Sequence, residues 1–171
     1  PRPAAVGAGG ETLAVTMPKA LWSGIQRLAE QENASPFMVL LAAFNVLLFR
    51  YAQQSKIVVG TPVANRGRSE HEGVLGLFAN TLVLCSTLRP EMSFRELLAQ
   101  VRETTLSAYE HQELPFEKLV LELQPERSLS YNPLFHAMFI LQNLPTERAS
   151  ASAAPAAEPT GEPIPFEATV S

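Results

Sequence analysis

At positions 111–120 the chain reads HQELPFEKLV, which gathers His111, Gln112, Glu113 and Glu117 around Pro115. An imidazole beside carboxylates is the equipment of general acid–base catalysis, since surroundings can tune both groups to exchange a proton near neutral pH. The same letters also spell a joint between two helices, with Phe116 as its anchor and the polar side chains capping or facing water. Residue types alone leave both readings open, with the joint the more economical. The other candidates are weaker. His71 lies between Glu70 and Glu72 in a polar loop, where water satisfies it. His136 alternates with apolar neighbours, as a structural histidine does, and Cys85 sits in an apolar run, where a thiol behaves as a small hydrophobe. No two of the three histidines stand at metal-ligand spacing, and neither HExxH nor CxxC occurs. A G-x-S-x-G elbow and the glycine-rich phosphate loops are likewise missing.

The elements around HQELP follow from periodicity and punctuation. ETLAVTM (11–17) suits a strand. Pro18 fits a first helical turn, Leu21, Ile25, Leu28 and Ala29 recur at helical spacing, and Asn33 closes that helix. Ser35 and Pro36 predict the N-cap and first position of a second helix running to about Gln53, apolar nearly all round and so buried on several sides. KIVVGTPVA (56–64) is β-branched and reads as a strand, as does LFANTLVLCSTL (77–88). Ser93 and Glu96 form a capping box, which opens a helix with Phe94, Leu97, Leu98, Val101, Thr105 and Ala108 on one stripe. That helix delivers the chain into HQELP. Pro115 then suits the first turn of a short helix, and Glu117 complements its dipole. LFHAMFILQ (134–142) reads as a buried strand. From Asn143 the composition becomes Pro/Ala/Ser-rich, and PIPFEATV (163–170) begins another strand. The expected organisation is one unit over 1–143, then a flexible segment, 144–171, leading into a truncated last part. The order β-α-α-β-β-α-α-β lacks regular alternation, so the fold class is α/β with a mixed sheet flanked by helices.

Composition sets the outer limits. The chain has 171 residues, 46% of them hydrophobic, enough for a true core. A net charge of −4 argues against a nucleic-acid partner, and the short basic cluster NRGRS (65–69) is followed by Glu70 and Glu72. The longest apolar run, 37–49, falls short of the roughly 20 residues that span a bilayer, so no membrane partner is expected. One cysteine permits no internal disulfide and suits a reducing, cytoplasmic setting. The opening PRPAAVGAGG has no apolar signal core and reads like a linker, as expected of a fragment.

Three stretches taken together resemble one family. VLGLFANTLVL (74–84), HQELPFEKLV (111–120) and RSLSYNPLFHAMFILQN (127–143) follow the order and spacing of GxFVNT, HQDxPFE and RDxSRNPLF in condensation domains of nonribosomal peptide synthetases. IVVGTPVANR (57–66) is similar to the same family. Ala79, Glu113, Leu129 and Tyr131 depart from the pattern conservatively. The resemblance implies one lobe of a two-lobed fold like chloramphenicol acetyltransferase. In that fold, carrier proteins bring phosphopantetheine-linked substrates to a tunnel, where an amine attacks a thioester to form a peptide bond. The family's HHxxxDG motif has no counterpart here, for no two histidines are adjacent. The resemblance therefore implies the C-terminal lobe alone, inactive by itself and with no catalytic residue of its own. It casts Gly76, Asn80 and Thr81 as tunnel-wall residues and Arg66 as an interlobe ion-pair donor to the missing motif's aspartate. His111, Gln112, Pro115, Phe116, Glu117, Ser130, Asn132 and Pro133 become structural. Implied partners are the first lobe, peptidyl carrier proteins and an adjacent adenylation domain. Phosphopantetheine would arrive on the carriers, with no cofactor bound directly. Two rivals are a non-catalytic lobe that docks carriers or neighbouring domains and a fragment of an epimerisation or cyclisation domain. A lobe without its partner would expose an apolar face and self-associate.

Overall fold

The computed structural model describes residues 11–64, 79–125, 132–142 and 164–170. Helix α1 (Lys19–Gln31) and helix α2 (Pro36–Ala52) follow strand β1 (Glu11–Met17) and meet at a bend of 106°. The bend is built from local chemistry. Asn33 takes a left-handed φ of 50°, and the Ser35 hydroxyl then accepts the Met38 N–H at 3.3 Å to start α2. Gln53, at φ 54°, closes α2 with its N–H on the Phe49 carbonyl. Pro18 and Pro115 stand one residue earlier than expected, at N-cap positions with extended backbone, each just ahead of its helix. α2 buries Met38, Val39, Leu41, Ala42 and Asn45, while Leu47 and Tyr51 face outward, so its burial is less complete than its composition implied.

Strands β2 (Lys56–Val63) and β3 (Asn80–Thr87) pair antiparallel, from Lys56 opposite Thr87 to Val63 opposite Asn80. Strand β4 (Ala137–Met138) joins β2 in parallel, giving a three-stranded mixed sheet ordered β3-β2-β4. Because side chains alternate across a strand, Ile57, Val59 and Thr61 of β2 share one buried face with Leu82, Leu84 and Ser86 of β3. That face packs into a core with Leu41 and Ala42 of α2 and Leu97, Leu98 and Val101 of helix α3 (Phe94–Glu110). α3 starts at the expected box: the Ser93 N–H and hydroxyl both donate to one Glu96 carboxylate oxygen, at 2.8 and 2.7 Å. Phe94, placed on the stripe by spacing, is exposed at the first helical position, ahead of the buried part of the stripe.

The expected strand over 134–142 shrinks to the two residues of β4. The run is apolar for a different reason. Phe139 packs between Phe37 and Phe44 of α2, with ring centroids 5.5 Å from each, and Phe135 lies on Gly60. Burial of rings and not a long ladder explains its hydrophobicity, which periodicity cannot distinguish. Strand β5 (Ile164–Val170) pairs antiparallel along the whole of β1, from Glu11 opposite Val170 to Met17 opposite Ile164, as a separate two-stranded sheet. The chain is thus an α/β unit with a mixed sheet and flanking helices, as its sequence pattern implied. No single helix among the described residues is long and apolar enough to cross a membrane.

Candidate functional site

Everything notable about HQELP starts from Asn80, the first residue of β3. Its amide nitrogen donates to the Gln112 carbonyl at 2.8 Å and to the Leu114 carbonyl at 2.7 Å. Its oxygen accepts the Thr81 N–H at 2.9 Å and the Phe116 N–H at 3.1 Å. A carboxamide offers two donors and two acceptor lone pairs, so all four capacities end on backbone groups of this chain.

The turn itself is a helix-to-helix joint. α3 ends at Glu110, the His111 N–H donates to Ala108, the Gln112 N–H to Tyr109 and the Leu114 N–H to His111. Pro115 then leads into helix α4 (Phe116–Leu123) without any side-chain cap of its own. Phe116 packs its ring on Phe135 at a centroid distance of 5.8 Å, and Phe135 rests on Gly60, where a Cβ would lie 2.5 Å from its ring. Asn132 bends the chain ahead of Phe135 by accepting the Leu134 N–H at 3.0 Å, beside a half-buried Pro133. One node therefore joins four stretches that are far apart in sequence: Gly60 of VVGTPV, Asn80, the HQELPF turn, and NPLF.

The histidine at the centre of the acid–base question is exposed, with Nδ1 2.9 Å from the Ser107 carbonyl. A carbonyl only accepts, so Nδ1–H donates there and that nitrogen is not a free base. Glu117 is exposed in the first turn of α4, and Thr81 is half-buried opposite Pro62. Cys85 is half-buried opposite Val58. Burial raises the Tyr109 phenol above its ordinary pKa, so this neighbour of the turn stays neutral. Among the described residues no group of three or more His, Cys, Asp or Glu could hold a metal ion. Gly76, Arg66, Ser130 and His71 lie outside the described residues. The structure thus brings Asn80, Gln112, Pro115 and Phe116 together with Asn132 and Pro133 nearby. Sequence reasoning missed Gly60 and Phe135; the signal was a glycine inside a β-branched strand, which marks a close approach. What the contacts of Asn80, the turn and Phe135 do is hold backbone.

Known proteins agree with the motif pattern. A family model, "Condensation domain", matches residues 1–168. One component of the linear gramicidin synthase of Brevibacillus parabrevis is 51% identical over 152 residues, covering 89% of this chain but 2% of that protein. Another component of the same synthase is 54% identical over 143 residues, covering 84% and 3%. Among solved structures, a four-domain nonribosomal peptide synthetase bound to AMP and glycine superposes with a TM-score of 0.81 at 29% identity, covering 84% of this chain and 11% of that one. The X-domain from teicoplanin biosynthesis gives 0.76 at 27%, covering 81% and 31%; it has also been solved in complex with OxyB. The chain accordingly spans about 2 to 3% of the length of these synthase relatives. With its three ordered motifs meeting at one node and a family match over nearly its whole length, this chain belongs to the condensation domain family of nonribosomal peptide synthetases.

Proposed function

We propose that the chain is the C-terminal lobe of a condensation domain that joins two carrier-borne substrates through a peptide bond. The upstream thioester would be attacked by the downstream amine, with thiolate leaving on its carrier and the amine proton passing to a base. Such a step needs positioning and proton transfer. The described residues support the first: Asn80 locks the HQELP turn to β3. The observation that carries this reading is the meeting of the family motifs at Asn80, in a sequence where no two histidines are adjacent. Gly76 and Thr81 belong to the proposal as tunnel-wall residues and Arg66 as the interlobe ion-pair donor. Its partners are the other lobe, peptidyl carrier proteins bearing phosphopantetheine and an adjacent adenylation domain, in a cytoplasmic enzyme. Exposed Leu13, Val15, Leu121 and Leu123 support self-association when the partner lobe is missing.

The test mixes this chain with two loaded carrier proteins and measures amide product by mass. The chain alone should give none above background, and a complete condensation domain containing it should give product. Product from the chain alone would refute the division of labour. A docking lobe is the second reading, favoured by the likeness to an X-domain solved with OxyB. It predicts that the complete domain binds carriers yet forms no amide.

A further inference from the structure

We propose that Asn80 is a positioning residue whose carboxamide caps both sides of the HQELP joint from a distant strand, instead of meeting substrate. α4 begins at Phe116 behind a proline with no side-chain cap, so its first N–H groups need acceptors from elsewhere. Asn80 supplies one from 36 residues away, taking the Phe116 N–H. On the other side, the turn after α3 leaves carbonyls without helical partners, and Asn80 donates to those of Gln112 and Leu114. The orientation of the amide is forced. Two carbonyls can face only its NH2 group, and two N–H groups can face only its oxygen. Few other side chains meet this demand. Aspartate has the shape but no donors and would set a charge against two carbonyl oxygens; serine offers one donor; glutamine is one methylene too long. The amide is fully committed, so nothing remains with which to hold a thioester or a pantetheine arm. The place of the turn in a condensation site rests on the function proposed above. The capping role stands on backbone geometry and is measured without substrate, so each can fail separately.

Amide hydrogen exchange on the 171-residue chain provides the test. In the wild type the Phe116 N–H should be protected, whereas the next amide, Glu117, which has no bond among the described residues, should exchange quickly. Asn80→Ala should speed Phe116 exchange about tenfold, the scale of losing a cap and its companion hydrogen bonds, while Leu98 and Val101 in α3 stay protected. Asn80→Asp keeps an acceptor for the Phe116 N–H and loses both donors, so its Phe116 protection at neutral pH should lie between those of the wild type and the alanine variant, and should rise once acid protonates the introduced carboxyl and restores one donor. Equal exchange at Phe116 and Glu117 in the wild type, or Phe116 protection unchanged in both variants, would overturn the proposal. If Asn80→Ala loses core protection as well, the wild-type contrast and the pH response of Asn80→Asp decide.

Discussion

A methyl group at position 60 has nowhere to go, because the Phe135 ring occupies the place of its Cβ. Gly60→Ala should therefore destabilise the chain by about 1–3 kcal/mol, the usual range for overpacking. Phe135→Leu in the same chain should recover part of that cost, since both changes concern one contact. A double-mutant cycle by denaturant unfolding measures the coupling, and simple additivity of the two costs would contradict the contact. Gly60 could be suspected from VVGTPV, where a glycine interrupts β-branched neighbours. The use of Asn80 could not be read, because its partners at 112, 114 and 116 lie more than thirty residues away and are all backbone. The resemblance casts Asn80 as a tunnel-wall residue, and its amide bonds backbone at 81, 112, 114 and 116. His111 was legible as part of a joint, but its bond to the Ser107 carbonyl required coordinates.

Helix starts were the most legible elements, because a cap is written within four residues. Ser35 with Pro36 and Ser93 with Glu96 both open helices where their spacing predicts. The Ser93 box also sets a pH dependence. Hydrogen bonds from Ser93 hold the Glu96 carboxyl below its ordinary pKa in the folded chain. A depressed carboxyl stabilises the fold above its unfolded pKa, and the contribution fades as pH falls through the lowered value. Ser93→Ala should thus destabilise the fold at neutral pH, and less so in acid, where the protonated carboxyl no longer favours those bonds. Urea unfolding of both proteins across the carboxylate range checks this, and a pH-independent difference would contradict it. Strand extent was less legible. The run 134–142 is hydrophobic because Phe135 and Phe139 are buried by rings and a glycine, so only Ala137–Met138 enter the ladder. The start of α4 was legible as Pro115, whereas its true cap sits on β3.

At the scale of the whole molecule, the mixed sheet with helices was readable from element order, while the pairing of β1 with β5 was not. These strands join the two ends of the described chain, and local pattern carries no register between such distant segments. The motifs were legible as a set in sequence, and the fold shows why they travel together: each contributes one side chain or turn to the same node. That node is a brace for backbone, and under the function proposed above proton handling falls to the other lobe. The most direct measurement is the turnover of a complete condensation domain carrying this segment with His111→Ala. A scaffold role predicts turnover within about tenfold of the parent, since loss of a general acid or base costs about a hundredfold or more. A hundredfold loss in a variant that keeps its core protected from exchange would contradict it.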